Sequence, residues 1–309
     1  MNRRALTSQT GMAIISALLV VAAVAMLSTQ LLQQQTTLIR SIETEQSRVQ
    51  AHALLEGGLD WARLILRQDA RRQSVTRLGE LWSTPLAETR IEVPGLGREA
   101  YFSGYVEDEQ GKFNLGNLAE KGHVNPGAIE ILQRLCHLLQ FPTELAPALA
   151  QRIAAGQRIE AVTDEPQTQT GPAAPPIHML EDLLGTAMLD QQTLNALRPY
   201  VTLLPGTTGI NVNTATAEVI TAAVGAEYFG AIRTLLERRN RGSWFNSSAD
   251  FLNQLPDAEL SLADGRLTTA STWFKVNGQV RLDPLTISMQ ALVSRPDTQL
   301  PTIYWRRQE

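Results

Sequence analysis

From Met12 to Ile39 the chain carries no charged residue. Within that stretch Met12 to Leu32 is apolar enough, and long enough, to cross a hydrocarbon core of about 30 Å, which takes roughly 20 helical residues. Beyond it the apolar positions thin out. Leu38, Ile42, Val49, Ala53, Leu59, Ala62 and Leu66 recur at intervals near three, four or seven between Arg40, Glu43, Glu45, Arg48, Asp60 and Arg63. That spacing predicts a single helix, apolar at first and amphipathic afterwards. Gly57-Gly58 breaks the pattern and marks either a kink or a close approach of another part of the chain.

Alternation of apolar and polar residues then takes over. Arg90–Val93 and Arg98–Glu107 read as two strands of a hairpin punctuated by Pro94-Gly95 and Leu96-Gly97. Near the end of the chain Trp273–Val280 has a candidate Asn277-Gly278 turn at its centre, and Leu285–Arg295 and Thr302–Arg306 also alternate. A lone hairpin is marginal in water, so the two groups are expected to pair into one antiparallel sheet lying on the amphipathic helix.

Between the strand groups the sequence is helical. Asn125-Pro126 caps a helix through Ile129–Leu139, Asp190 caps Gln191–Leu197, and Ser247 with Asp250 forms a capping box ahead of Phe251-Leu252. Thr163 to Pro176 is polar and proline-rich, an exposed loop. The fold class expected is α+β, a long N-terminal helix packed on an antiparallel sheet with a large all-helical insertion. In segments, 1–11 is a leader, 12–33 a transmembrane helix, 34–112 the amphipathic helix and first strands, 113–268 the insertion, and 269–309 the strands that complete the sheet.

Composition sharpens this only in places. The 309 residues carry a net charge of −4, which argues against nucleic acid or anionic lipid as the principal partner. Cys136 is the sole cysteine, so no internal disulfide forms, and the apolar residues around it at helical spacing predict a buried thiol. His52, His123, His137 and His178 are scattered, and no nucleophile elbow, P-loop or dinucleotide fingerprint is present. No catalytic or metal-binding residues are assigned, and an enzyme is not expected.

The N-terminus allows three readings. Arg3 and Arg4 precede the apolar stretch, so the leader stays cytoplasmic and the remainder faces outward. A signal peptide cut after Ala23-Val24-Ala25 is one reading, and an uncleaved anchor is the second. In the third, Gly11 followed by Met12-Ala13-Ile14-Ile15-Ser16-Ala17-Leu18-Leu19 resembles the type III signal of type IV pilins and pseudopilins. The resemblance implies a peptidase cut between Gly11 and Met12 that leaves the apolar helix at the mature N-terminus. Ile14, Leu18, Leu19, Val21 and Val24 would then pack against neighbouring subunits. Most pilins have glutamate where this chain has Ser16. A carboxylate in hydrocarbon needs a partner such as the amine of an adjacent subunit, so Ser16 removes the ordinary register contact and suits a subunit at the filament tip.

Gly209-Ile210-Asn211-Val212-Asn213-Thr214-Ala215 is similar to a signature shared by helix-hairpin-helix modules and by general secretion pathway protein K, the K-type minor pseudopilins of type II secretion. Asn213 or Thr214 is expected to cap the following helix. Glu107–Leu115, Leu197–Thr202 and Trp273–Val276 also resemble the K-type family, whereas Gly116-Asn117-Leu118 departs from its usual ending. The resemblance implies a subunit of the inner membrane, with its N-terminus cytoplasmic and its main body periplasmic. It would form the pseudopilus tip with I-type and J-type partners and start assembly on the inner-membrane platform above the major pseudopilin, after prepilin peptidase processing. Many family members bind calcium through an aspartate-rich segment. At that place Glu160, Asp164 and Glu165 are the only acids, too few for calcium's six to eight oxygens, so no cofactor is expected. The rival reading is a membrane-anchored helix-hairpin-helix protein that binds DNA for uptake. It needs backbone amides at a glycine hairpin to meet a phosphate. Ala223-Val224-Gly225-Ala226-Glu227 offers one glycine and an opposing acid, with Arg238, Arg239 and Arg241 nearby.

Overall fold

The computed structural model describes residues 10–92, 99–157, 172–186, 189–256, 265–283, 285–296 and 299–308. Arg3, Arg4, the Pro94–Gly97 turn, Glu160, Asp164 and Glu165 lie outside the described residues.

One helix, α1 (Thr10–Arg72), carries the apolar stretch and the amphipathic stretch without interruption. Its 63 residues give a rod about 95 Å long at about 1.5 Å per residue. The chain then forms β1 (Leu86–Glu92) and β2 (Glu99–Asp108), the expected hairpin. It leaves the sheet at Asp108 and returns at β9 (Trp273–Leu282), followed by β10 (Leu285–Ser294) and β11 (Thr302–Gln308). These five strands make an antiparallel sheet in the order β1-β2-β9-β10-β11.

Between Asp108 and Trp273 lie short strands and helices: β3 (Phe113–Asn114), β4 (Ala119–Glu120), β5 (His123–Val124), α2 (Pro126–Leu138), α3 (Leu145–Ala155), α4 (Gln191–Leu197), β6 (Val201–Thr202), β7 (Ile210–Asn211), α5 (Ala217–Val224), α6 (Phe229–Asn240), α7 (Ser248–Leu252) and β8 (Leu267–Thr268). The architecture is mixed helix and sheet, a long N-terminal helix on an antiparallel sheet with a mainly helical body inserted between its second and third strands. Three expected caps are present: Asn125 accepts from Ala128 N, Asp190 from Thr193 N and Ser247 from Asp250 N. The Asp250 carboxylate closes back on Asn246 N instead of Ser247 N.

The described residues form two apolar cores. One lies between α1 and the sheet and contains Ala51, Leu55, Leu59, Ala62, Leu66, Phe102, Phe274, Val276, Val280 and Met289. The other fills the inserted body and contains Leu132, Leu135, Cys136, Leu149, Leu194, Val219, Ile220, Ile232 and Phe251. Cys136 is fully buried, and burial pushes its thiol up to about 11.

Two sequence expectations change. The stripe drawn through Leu38, Ile42, Val49 and Ala53 is not the face that meets the sheet, because Val49 is 60% exposed while Ala51 and Leu55 are fully buried. In Ala51-His52-Ala53-Leu54-Leu55 apolar residues occupy almost every angle, so periodicity alone cannot choose the face. The sheet does. Asn277-Gly278 is likewise not a turn. It sits in mid-strand, with Gly278 opposite Gly104 on one side and Met289 on the other, and the chain reverses after Leu282. A Cβ on Gly278 would lie 3.3 Å from Leu55 Cδ2, so this glycine serves the seating of α1. Gly58 serves the same purpose: a Cβ there would lie 2.4 Å from Phe102 Cζ. Gly58 therefore marks a close approach, while a Cβ on Gly57 would meet nothing within 4 Å, and α1 runs through both.

Candidate functional site: a bare apolar stalk and a buried polar junction

The first part of the site is the stalk. Gly11, Met12 and Ser16 all lie in the first two turns of α1, at the end remote from the sheet. Met12 is 79% exposed, and Ile14, Ile15, Leu18, Leu19, Val20, Val21 and Val24 are all exposed. Neither apolar core includes a residue of α1 before Ala51. An apolar surface of this kind is stable only in lipid or against other helices.

The second part is where the inserted body meets the sheet and the end of α1. The segments that carry the family resemblance converge there. Asp108, at the last position of β2, is buried. Its Oδ2 accepts hydrogen bonds from Asn211 Nδ2 (2.9 Å), Thr214 Oγ1 (2.6 Å) and Ser271 Oγ (2.6 Å), and its Oδ1 accepts from Gln110 N (2.9 Å). Burial nonetheless outweighs these donors and raises the Asp108 carboxyl above the usual aspartate range. Asn211 Nδ2 also donates to Thr76 O, just past the end of α1 (3.0 Å). Thr76 Oγ1 in turn accepts from Ser271 N and from Arg295 Nη2. Arg295 completes the tie by donating to Asp69 Oδ2 (2.7 Å), to Leu66 O and to Ser271 O, its guanidinium 4.5 Å above the Phe274 ring.

Beside this network Glu109 bonds Lys112 Nζ (2.9 Å), Lys275 Nζ (3.2 Å) and the Thr202 hydroxyl. Burial pushes the Glu109 carboxyl up, but the two ammonium groups and the hydroxyl outweigh it and hold the group below its ordinary range. Burial pulls Lys275 down, and Glu109 and Glu107 more than reverse this, so its ammonium is held above the usual lysine range. Gln110 reaches both bodies, donating to Gly209 O and accepting from Thr272 N. Asn117, within the segment that departs from the family ending, makes a two-way pair with Thr208 N and O.

The signature asparagines thus have roles other than capping. Asn213 pairs with both the N–H and the C=O of Phe245, Thr214 bonds Asp108, and the cap of α5 is Thr216, which accepts from Val219 N. The expectation that Asn213 or Thr214 caps this helix is overturned, because both side chains are committed to tertiary contacts one turn earlier. Sequence reading found the segments but not their convergence, and it missed Asp69, Thr76 and Arg295. An isolated arginine at the end of an alternating strand, as Arg295 is, was the available hint.

The hairpin after α5 bears on the DNA reading. A Cβ on Gly225 would lie 2.5 Å from Glu227 Oε1, so a carboxylate covers the backbone that a phosphate would approach. Arg239 donates to Val212 O and Ala215 O, and burial lowers its guanidinium to about 10. It is committed to the fold.

Comparison with known proteins agrees with the architecture. The family described as type II secretion system (T2SS), protein K, matches over residues 111–206 and again over 210–276, together more than half of the chain. A type II secretion system protein K from Pseudomonas aeruginosa strain PAO1 is 28% identical over 290 residues, covering 89% of this chain and 85% of that one. A chain in the crystal structure of the GspK-GspI-GspJ complex from the enterotoxigenic Escherichia coli type 2 secretion system superposes with a TM-score of 0.67 at 19% identity, over 86% of this chain and 98% of that one. With a free apolar stalk below a sheet and a mainly helical body locked to it through the family's own segments, the chain belongs to the protein K family of type II secretion, the K-type minor pseudopilins.

Proposed function

We propose that this chain is the tip subunit of a type II secretion pseudopilus. Met12–Leu32 holds it in the inner membrane with its N-terminus cytoplasmic and its sheet and inserted body periplasmic. Prepilin peptidase cuts between Gly11 and Met12. The mature subunit joins I-type and J-type minor pseudopilins, starts assembly on the inner-membrane platform, and rides above the major pseudopilin. The observation that carries this reading is the bare run of α1 from Met12 to Gln46, exposed throughout where its side chains are described. A stalk of this kind needs lipid first and helices of other subunits later, and a filament provides both. The E. coli relative is named in a complex with I and J subunits, which supports the choice of partners. Ser16 supports the tip position, since a subunit without the carboxylate has nothing to offer the amine of a subunit ahead of it.

The test is to co-express the tagged full-length chain with I-type and J-type partners from the same organism, isolate it from membranes and read its mature N-terminus. A chain beginning at Met12 and eluting with both partners is expected. A start at Met26, a retained Met1, or absence of both partners overturns the reading. Retention on duplex DNA that weakens with salt would instead favour the uptake role.

A further inference from the structure

A trough lies beside the buried junction, on both sides of the turn from Pro205 to Thr208. The larger part, about 820 Å³, is bordered by Asn125, Thr208 and Trp273. The smaller, about 410 Å³, is bordered by Gln157, Ile177 and Tyr304. Pro205 and Thr207 line both. Each part is of a size that takes a small ligand, and the two together suit a linear one.

The lining favours an uncharged ligand. Among the described residues no Asp or Glu borders the larger part, and its one cation, Arg266, donates to Ala223 O. In the smaller part Glu120 is followed directly by Lys121. A charged group would give up its hydration there for little return. Hydrogen-bonding capacity is nonetheless plentiful. The hydroxyls of Thr207 and Thr208, Asn125 Nδ2 and Trp273 Nε1 have no partner among the described residues, since Asn125 uses only its Oδ1, as a cap. All four can donate, and the hydroxyls can also accept. Trp273 stands edge to face with Tyr304, the ring centroids 5.5 Å apart and the planes at 86°. Trp273 lines the larger part and Tyr304 the smaller, so an aromatic corner sits where the two meet.

An extended polypeptide is the rival occupant. It needs a strand edge to pair with, and the strands bordering the trough, β7 and β8, are two residues each and already pair with one another. Sugar rings need no such edge, because their hydroxyls meet hydroxyls and amides while their C–H faces lie on amphipathic aromatic rings. We propose that the trough binds an uncharged oligosaccharide, with Trp273 as the stacking platform and Thr207, Thr208 and Asn125 as the hydrogen-bonding side chains. This activity is additional to the tip role and does not depend on it.

The test is calorimetric titration of the full chain, held in a detergent without a sugar head group, with cellotetraose and with the tetramer of N-acetylglucosamine. Saturable binding of at least one is expected, and which one shows whether the trough prefers hydroxyl or acetamido groups. Trp273→Ala should weaken it about tenfold. Trp273→Phe, which keeps a ring but loses the N–H, should fall between that variant and the native chain and guards against a folding defect. Thr207→Val and Thr208→Val should each cost about two- to tenfold. Trp244→Phe, at an exposed tryptophan that does not border the trough, should change nothing. Absence of binding by both sugars, indifference to Trp273→Ala, equal loss in Trp244→Phe, or displacement of the sugar by an uncharged alanine-serine octapeptide would overturn the proposal and leave the tip reading intact.

Discussion

The neighbouring glycines of α1 should respond in opposite senses to the same substitution. A Cβ on Gly57 meets nothing within 4 Å. Gly57→Ala therefore adds only helix propensity, about 1 kcal/mol of stabilisation. A Cβ on Gly58 lies 2.4 Å from Phe102 Cζ and 2.6 Å from Cε2. The ring cannot swing clear, because Phe102 is itself buried in the core between α1 and the sheet. Overpacking of this kind costs about 1–3 kcal/mol. Set against the same propensity gain, Gly58→Ala should fall between neutral and about 2 kcal/mol destabilising. Thermal unfolding of the detergent-solubilised full chain reads this, with about 2–4 °C expected per kcal/mol for a body of 150–250 residues. Trp82 reports the relevant core, since it is buried with its ring edge-on to Phe274 at 5.3 Å. Phe102→Leu should relieve the Gly58→Ala defect and do nothing for Gly57→Ala. If both alanines stabilise equally, the account of how α1 seats on the sheet is wrong.

Three further outcomes are expected. Asn211→Ala removes the amide that donates to Asp108 and Thr76 and should cost about 2–4 kcal/mol, since it leaves buried acceptors unmet. Limited proteolysis should then free the inserted body before the sheet unfolds, and simultaneous digestion of both would refute the assignment. Glu109 is held below its ordinary value, so its stabilising effect is complete above about pH 4.3 and disappears as pH falls through the lower folded-state value. Urea midpoints measured against pH should show that acid limb in the native chain and lose it in Glu109→Gln. Gly11→Leu should block the proposed peptidase cut, leaving a membrane-bound chain that keeps its leader by mass measurement.

Much of the scaffold was legible because it rests on local physics. The apolar first part of α1, the amphipathic helix that continues it, both strand groups and the caps at Asn125, Asp190 and Ser247 follow from periodicity and from donors that helix ends leave unmet. What could not be read was decided by tertiary contact. Asn277-Gly278 has turn chemistry, but the need to seat Leu55 outweighs it. Val49 and Ala53 fit the helical period as well as Ala51 and Leu55, and only the sheet distinguishes them. Asn213 and Thr214 have capping chemistry, yet Phe245 and Asp108 claim their side chains first.

The junction also explains why a chain with two separate apolar cores can behave as one piece. Apolar packing between bodies is non-directional and would fix neither rotation nor register. Hydrogen bonds do both. From α1, Asp69 holds Arg295, which holds Thr76, which accepts from Ser271, which donates to Asp108, which binds Asn211 and Thr214 at the entrance to α5. Each link is buried or half-buried, so a break leaves an unmet polar group with no water to replace its partner. The orientation of the inserted body is therefore set from the top of the stalk. The surface it presents therefore turns with α1.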